Sequence, residues 1–66
     1  MKNFIKEERV RKQLTQAQLA ELVQVSRQTI ISIETNKYLP STVLALKLAK
    51  ALQQRVEDLF ELEDSD

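Results

Sequence analysis

Glycine, cysteine, histidine and tryptophan are all missing from this chain, and proline occurs once. Each absence excludes something. Without cysteine there is neither a disulfide nor a thiolate metal site. Without histidine the commonest general base and metal ligand is gone as well. No glycine-rich loop is available to cradle a phosphate. The acidic pairs Glu7-Glu8 and Glu57-Asp58 are sequence neighbours. On a helix such neighbours diverge, so neither pair can share a proton or a metal. This inventory points away from an enzyme and implies no cofactor, no metal and no small-molecule ligand. There is also no apolar run long enough for a membrane span or a signal peptide, so a cytoplasmic protein is expected.

What remains is a single domain, residues 1–66. A chain this short buries a modest core and is marginally stable alone. Dimerisation is one way for it to bury more apolar surface. Its net charge is zero, but the charges are segregated. Residues 1–55 hold ten basic and four acidic side chains, a net of +6, and residues 56–66 hold six acids and no base, a net of −6. The chain is a basic body with an acidic tail, most acidic over about 61–66. The tail is either a solubilising end, or a device that keeps negative charge off a nucleic-acid face, or a contact for a partner.

The informative stretch is Thr15 to Asn36, TQAQLAELVQVSRQTIISIETN. Thr15 precedes an apolar periodic run, Leu19, Leu22 and Val23, and is an N-cap signal because its hydroxyl can take up an orphan backbone N–H. Ser26 is a second such signal, with Ile30 and Ile33 as inward residues. Only Gln24 and Val25 separate the two helices, so the axes must turn sharply, the mark of a helix-turn-helix. Ala20 is small where a crossing helix leaves little room, and Val25 plugs the angle.

At about 100° per residue, Arg27, Gln28, Ile31, Ser32 and Thr35 fall opposite Ile30 and Ile33. That outer face offers a guanidinium, an amide, two hydroxyls and one apolar group. These are the groups that read base edges in a DNA major groove. On an arbitrary helix the same face would be a solvated surface; the tight turn favours DNA.

The segment LTQAQLAELVQVSRQTIISIETNKYLPS resembles the DNA-binding core of the Cro/C1-type (XRE) helix-turn-helix repressors. The likeness continues through ALKLAKAL and VEDLF and spans about Ile5 to Phe60. It implies an all-α, lambda-repressor-like bundle of five helices. It also implies a sequence-specific regulator of transcription, a homodimeric repressor on a palindromic operator in double-stranded DNA. Residue by residue, Gln16 matches a position that contacts phosphate and buttresses the reading helix, at a helix start that itself favours an anion. Lys37 and Tyr38 match backbone contacts. Arg27, Gln28 and Ser32 match base readers, with Ser26 beside them. For Arg27 a phosphate contact remains the alternative, and Ile31 is either a thymine-methyl contact or an ordinary exposed residue. Arg9 and Glu34 match a partly buried ion pair that locks the first helix to the third. The competing reading is a protein-interaction module, such as an antitoxin or antirepressor, that grips a partner through the acidic C-terminus.

Asn3 is the expected cap of a first helix over about Phe4 to Gln13, whose apolar set is Ile5, Phe4 and Val10. Relatives usually carry an aliphatic residue where Glu8 stands, and Val10 is taken as its local substitute. Asn36 to Pro40 is a loop, and Ser41 caps a fourth helix over Thr42 to Leu52 with Leu44, Leu48 and Leu52 inward. Ala45 and Ala49 allow close packing on it. A short fifth helix runs from Val56 or Glu57 to Phe60. Leu62 either joins a short strand with the N-terminus or frays. Leu59, Phe60 and Leu62 are the expected dimer interface. Relatives commonly place glycine at Gln24, Asn36 and Gln53, which leaves the geometry of those turns open.

Overall fold

The computed structural model describes all of residues 1–66. Its elements are β1 (Lys2–Asn3), α1 (Ile5–Arg11), α2 (Gln16–Val23), α3 (Arg27–Glu34), α4 (Thr42–Leu52), α5 (Val56–Leu59) and β2 (Phe60–Glu61). The fold is a five-helix bundle closed by one tiny antiparallel ribbon, with Lys2 opposite Glu61 and Asn3 opposite Phe60. The strand therefore ends just before Leu62, which stands free in solvent.

Three helix starts are fixed by their caps. Thr15 Oγ1 accepts from Gln18 N at 3.0 Å while Gln18 Oε1 accepts from Thr15 N at 2.8 Å, a reciprocal capping box. Ser26 Oγ accepts from Thr29 N and Ser41 Oγ from Leu44 N, both at 3.1 Å. Helix α1 begins later than the sequence indicates. Asn3 Oδ1 accepts from Ile5 N at 3.2 Å, and Phe4 is the last residue before the helix.

The helix ends explain how a chain without glycine turns. Gln13, Gln24, Asn36 and Gln53 adopt φ of 60°, 63°, 61° and 56°. Left-handed backbone at a non-glycine residue costs roughly 1–2 kcal/mol. Each residue recovers part of that cost by closing a paired hydrogen-bond lock on its helix. After α1, for example, Gln13 N donates to Val10 O and Leu14 N to Arg9 O; after α3, Asn36 N donates to Ile33 O and Lys37 N to Ser32 O. Gln24, Asn36 and Gln53 also use their side-chain amides. They accept from Lys47 Nζ, Asn3 Nδ2 and Lys12 Nζ at 3.1, 3.0 and 3.0 Å, tying each turn to another element.

Inside, Ile5 of α1, Leu19, Ala20 and Val23 of α2, and Ile30 and Ile33 of α3 meet Leu44, Leu48, Ala49 and Leu52 of α4. Leu59 is fully enclosed among them, so it belongs to the core and is not available to a partner. Two other assignments are corrected. Val10 and Leu22 are each 58% exposed. The inward face of α1 is carried by Ile5 and Arg9, one turn apart, and Val10 lies roughly 120° from its centre. On α2, Leu19, Ala20 and Val23 take the buried face, which leaves Leu22 on the flank. Glu8 is mostly covered, with Oε2 3.7 Å from Arg11 Nη2 and Oε1 lacking any hydrogen-bond partner. At the last helix, hydrogen bonds from Arg55 hold the Asp58 carboxyl below the usual carboxylate range. No helix is long and apolar enough to cross a membrane.

Candidate nucleic-acid interface

The outer face of α3 is backed by a polar chain that runs through three helices, covered at Arg9 and Glu34 and open to solvent at Arg27. Arg9 Nε donates to Glu34 Oε2 at 2.7 Å and Arg9 Nη2 to Glu34 Oε1 at 3.3 Å. The two side chains are only 10% and 3% exposed. Arg9 Nη1 also donates to Leu14 O at 2.9 Å, so the guanidinium fastens the α1–α2 connection as well. Gln16 Nε2 then donates to the same Glu34 Oε1 at 3.1 Å, and Arg27 Nη2 donates to Gln16 Oε1 at 3.3 Å. Both oxygens of the covered carboxylate are thus satisfied. This matters because an unpaired buried charge is far more costly than a paired one. Glu34 joins the end of α3 to α1 and to the start of α2, and Gln16 joins the start of α2 to the start of α3.

Arg27 and Gln28 are exposed in the first turn of α3, with Ser26 exposed just before it. Ser32 and Ile31 are half-buried one turn on. Ser26, Gln28, Thr29 and Ser32 line a shallow depression whose far rim is Tyr38 from the following loop. Lys37 is exposed next to Tyr38. The structure therefore gathers Gln28, Ser32, Ser26 and Tyr38 around one concavity, while Arg27 leans to the opposite side, onto Gln16. Thr35 contributes less than its position on the wheel indicates. Its hydroxyl donates back to Ile31 O at 2.8 Å.

Sequence reasoning missed two neighbours of this surface. Thr29 is half-buried, yet its hydroxyl lies 3.0 Å from Ser26 Oγ at the lip of the depression. Lys47 reaches from α4 to Gln24 beside the turn between α2 and α3. A hydroxyl one residue before Ile30 and a lysine one turn before Lys50 carry no distinctive signal in the sequence.

The profile of the helix-turn-helix family HTH_3 matches residues 5–59. The chain is 47% identical over the full length of both proteins to the uncharacterized HTH-type transcriptional regulator YgzD of Bacillus subtilis. It is 50% identical, again over both full lengths, to an uncharacterized HTH-type transcriptional regulator of Methanocaldococcus jannaschii. Among solved structures, the restriction-modification controller protein C.AhdI of Aeromonas hydrophila superposes with a TM-score of 0.79 at 36% identity, covering 85% of each chain. The clp gene regulator ClgR of Corynebacterium glutamicum superposes with a TM-score of 0.77 at 28% identity, over 82% of this chain and 57% of that one. All four are named as regulators or controllers, and none as an enzyme. The profile match, the full-length relatives and the shared fold agree with the geometry of α2 and α3: the chain belongs to the Cro/C1-type helix-turn-helix family of DNA-binding transcriptional regulators.

Proposed function

We propose that the protein is a sequence-specific repressor that binds a palindromic operator as a homodimer, laying α3 in the major groove. The observation that carries this reading is the solvent-open face of α3. There Gln28 and Ser32 project beside Tyr38 while the back of the helix is locked by Ile30, Ile33 and Glu34. Arg27 sits with Gln16 at the start of α2, where free backbone N–H groups and the helix dipole favour a phosphate. Gln28 and Ser32 face bases, with Ile31 beside them. Lys37 and Tyr38 grip the backbone beyond the end of α3, contacts that set register and carry no sequence information.

A second surface supports the dimer. Met1, Pro40, Ala45, Leu46, Val56 and Phe60 border an apolar groove of about 220 Å³ between α4 and the terminal ribbon. Leu46 is 57% exposed there, and Leu62 lies free just past the ribbon. The proposed interface comprises Leu46 and Phe60 of the groove together with Leu62, and leaves out the enclosed Leu59. A two-fold pair of heads predicts half-sites about one helical turn apart. The acidic tail is gathered onto the N-terminus, with the Met1 amine 2.9 Å from Glu63 Oε1 and 3.1 Å from Asp66 Oδ1. A cytoplasmic location accords with a DNA-bound role. The test is to capture fragments from a random-sequence DNA pool on the purified protein and sequence them. A palindromic motif is expected, and recovery of no enriched sequence contradicts the reading.

A further inference from the structure

The depression on the reading face does not end at Tyr38. A second notch, of about 340 Å³, lies on the other side of the same ridge. Thr29 and Tyr38 border both concavities, so the two form one continuous surface. The second notch runs from the turn after α2, at Gln24 and Val25, to Ser41 and Lys47 of the α4 region. No acidic residue lines either concavity, and Lys47 is the one charged residue among those that do. Its ammonium has three donors, and one is held by Gln24 Oε1 at 3.1 Å. Two remain for a ligand. Gln24 is itself pinned, since its left-handed backbone at φ 63° and ψ 43° closes α2. The lysine is therefore aimed by a residue whose own backbone is fixed.

We infer that Lys47 is a further DNA-contacting residue, which binds a backbone phosphate in this notch, and that Gln24 is the positioning residue that aims it. This rests on the DNA-binding reading above and extends the footprint past α3 onto α4. The occupant is a DNA phosphate because the notch is positive, uncompensated and continuous with the face that meets bases. Thr29 and Tyr38 border the notch on the side it shares with the first depression. A phosphate held there is contacted from the turn and from α4, whereas Arg27 and Gln16 serve the opposite edge of α3.

The experiment measures affinity for a random-sequence duplex between about 50 and 200 mM salt. It compares the unmodified protein with Lys47→Ala, Lys47→Arg and Gln24→Gly, each first shown to be folded by its helical signal and melting curve. Lys47→Ala should flatten the slope of log K against log salt by about 0.9, the value of one neutralised phosphate. Lys47→Arg should restore the slope. Gln24→Gly suits the left-handed turn and should keep the slope, while weakening binding several-fold because the lysine is no longer held. A Lys47→Ala slope equal to that of the unmodified protein overturns the inference and leaves the lysine for an acidic protein surface, with DNA binding intact. Absence of salt-dependent binding by the unmodified protein overturns both this inference and the DNA-binding reading beneath it.

Discussion

Arg27 Nη2 lies 3.3 Å from Gln16 Oε1, so the first side chain of α3 rests on the first residue of α2. The neighbouring Gln28 borders the polar depression instead. Two adjacent side chains of α3 therefore lie in two different settings, one against α2 and one beside the depression. For Arg27 this favours the phosphate edge over guanine, the alternative that a guanidinium always leaves open. Arg27→Ala should weaken binding to operator and to random DNA by a similar factor. It should also flatten the salt slope by about one unit. Loss confined to the operator would return Arg27 to base reading.

The Arg9–Glu34 pair is nearly enclosed, so removing one partner should be worse than removing both. Arg9→Met or Glu34→Leu alone leaves a covered charge, and each should cost about 3–5 kcal/mol. That is a large share of the stability of a small domain. The double variant should recover most of the loss, because two apolar side chains fill the site without a desolvated charge. Denaturant titration of the three variants reads this directly. Additive losses in the double variant would mean that the two charges do not act as a pair.

Much of this frame was legible from residue types. Thr15, Ser26 and Ser41 announce their helices because a hydroxyl before an apolar run has one local use, and all three make the bond. The inward set of α4 follows from its spacing. What the sequence left hidden has physical causes. Val10 and Leu22 are apolar yet lie outside, because the inward arc of α1 belongs to Ile5 and Arg9 and that of α2 to Leu19, Ala20 and Val23. Hydrophobic identity alone misplaces a residue at the edge of a narrow buried arc. Leu59, one of the last large apolar residues, reads as a dimer contact, but α5 is one turn long and inserts it into the core. Gln13 gives no sign of its left-handed backbone, because glutamine is rarely chosen for it. On α3 the inward residues Ile30 and Ile33 were legible. The split between Arg27 and Gln28 was not, because it depends on Gln16 lying across a helix crossing.

Glu8 lies on α1 with its Oε1 covered and without a hydrogen-bond partner. A buried acceptor left unsatisfied costs about 1–3 kcal/mol. Glu8→Leu should therefore raise stability by about 1 kcal/mol, a rise in Tm of about 4–8 °C for a domain of this size. Thermal unfolding followed by circular dichroism measures it. An unchanged or lower Tm would show that the carboxylate is solvated.

The groove beside Leu46 makes the dimer testable without DNA. Leu46→Glu places a charge on an exposed position and should leave the fold intact, since the side chain is not part of the core. Burying that charge against a second copy is unfavourable, so sedimentation should show monomers at concentrations where the unmodified protein is expected to dimerise. Operator affinity should fall with it. A dimer that persists in this variant places the interface elsewhere.

The most direct measurement is the affinity of Gln28→Ala for the selected operator and for random DNA at one salt concentration. A glutamine amide suits adenine N6 and N7 through two parallel hydrogen bonds. Its loss should cost roughly 1–3 kcal/mol on the operator and much less on random DNA, so the specificity ratio falls. An equal loss on both DNAs, or none on either, would contradict base reading by the first turn of α3.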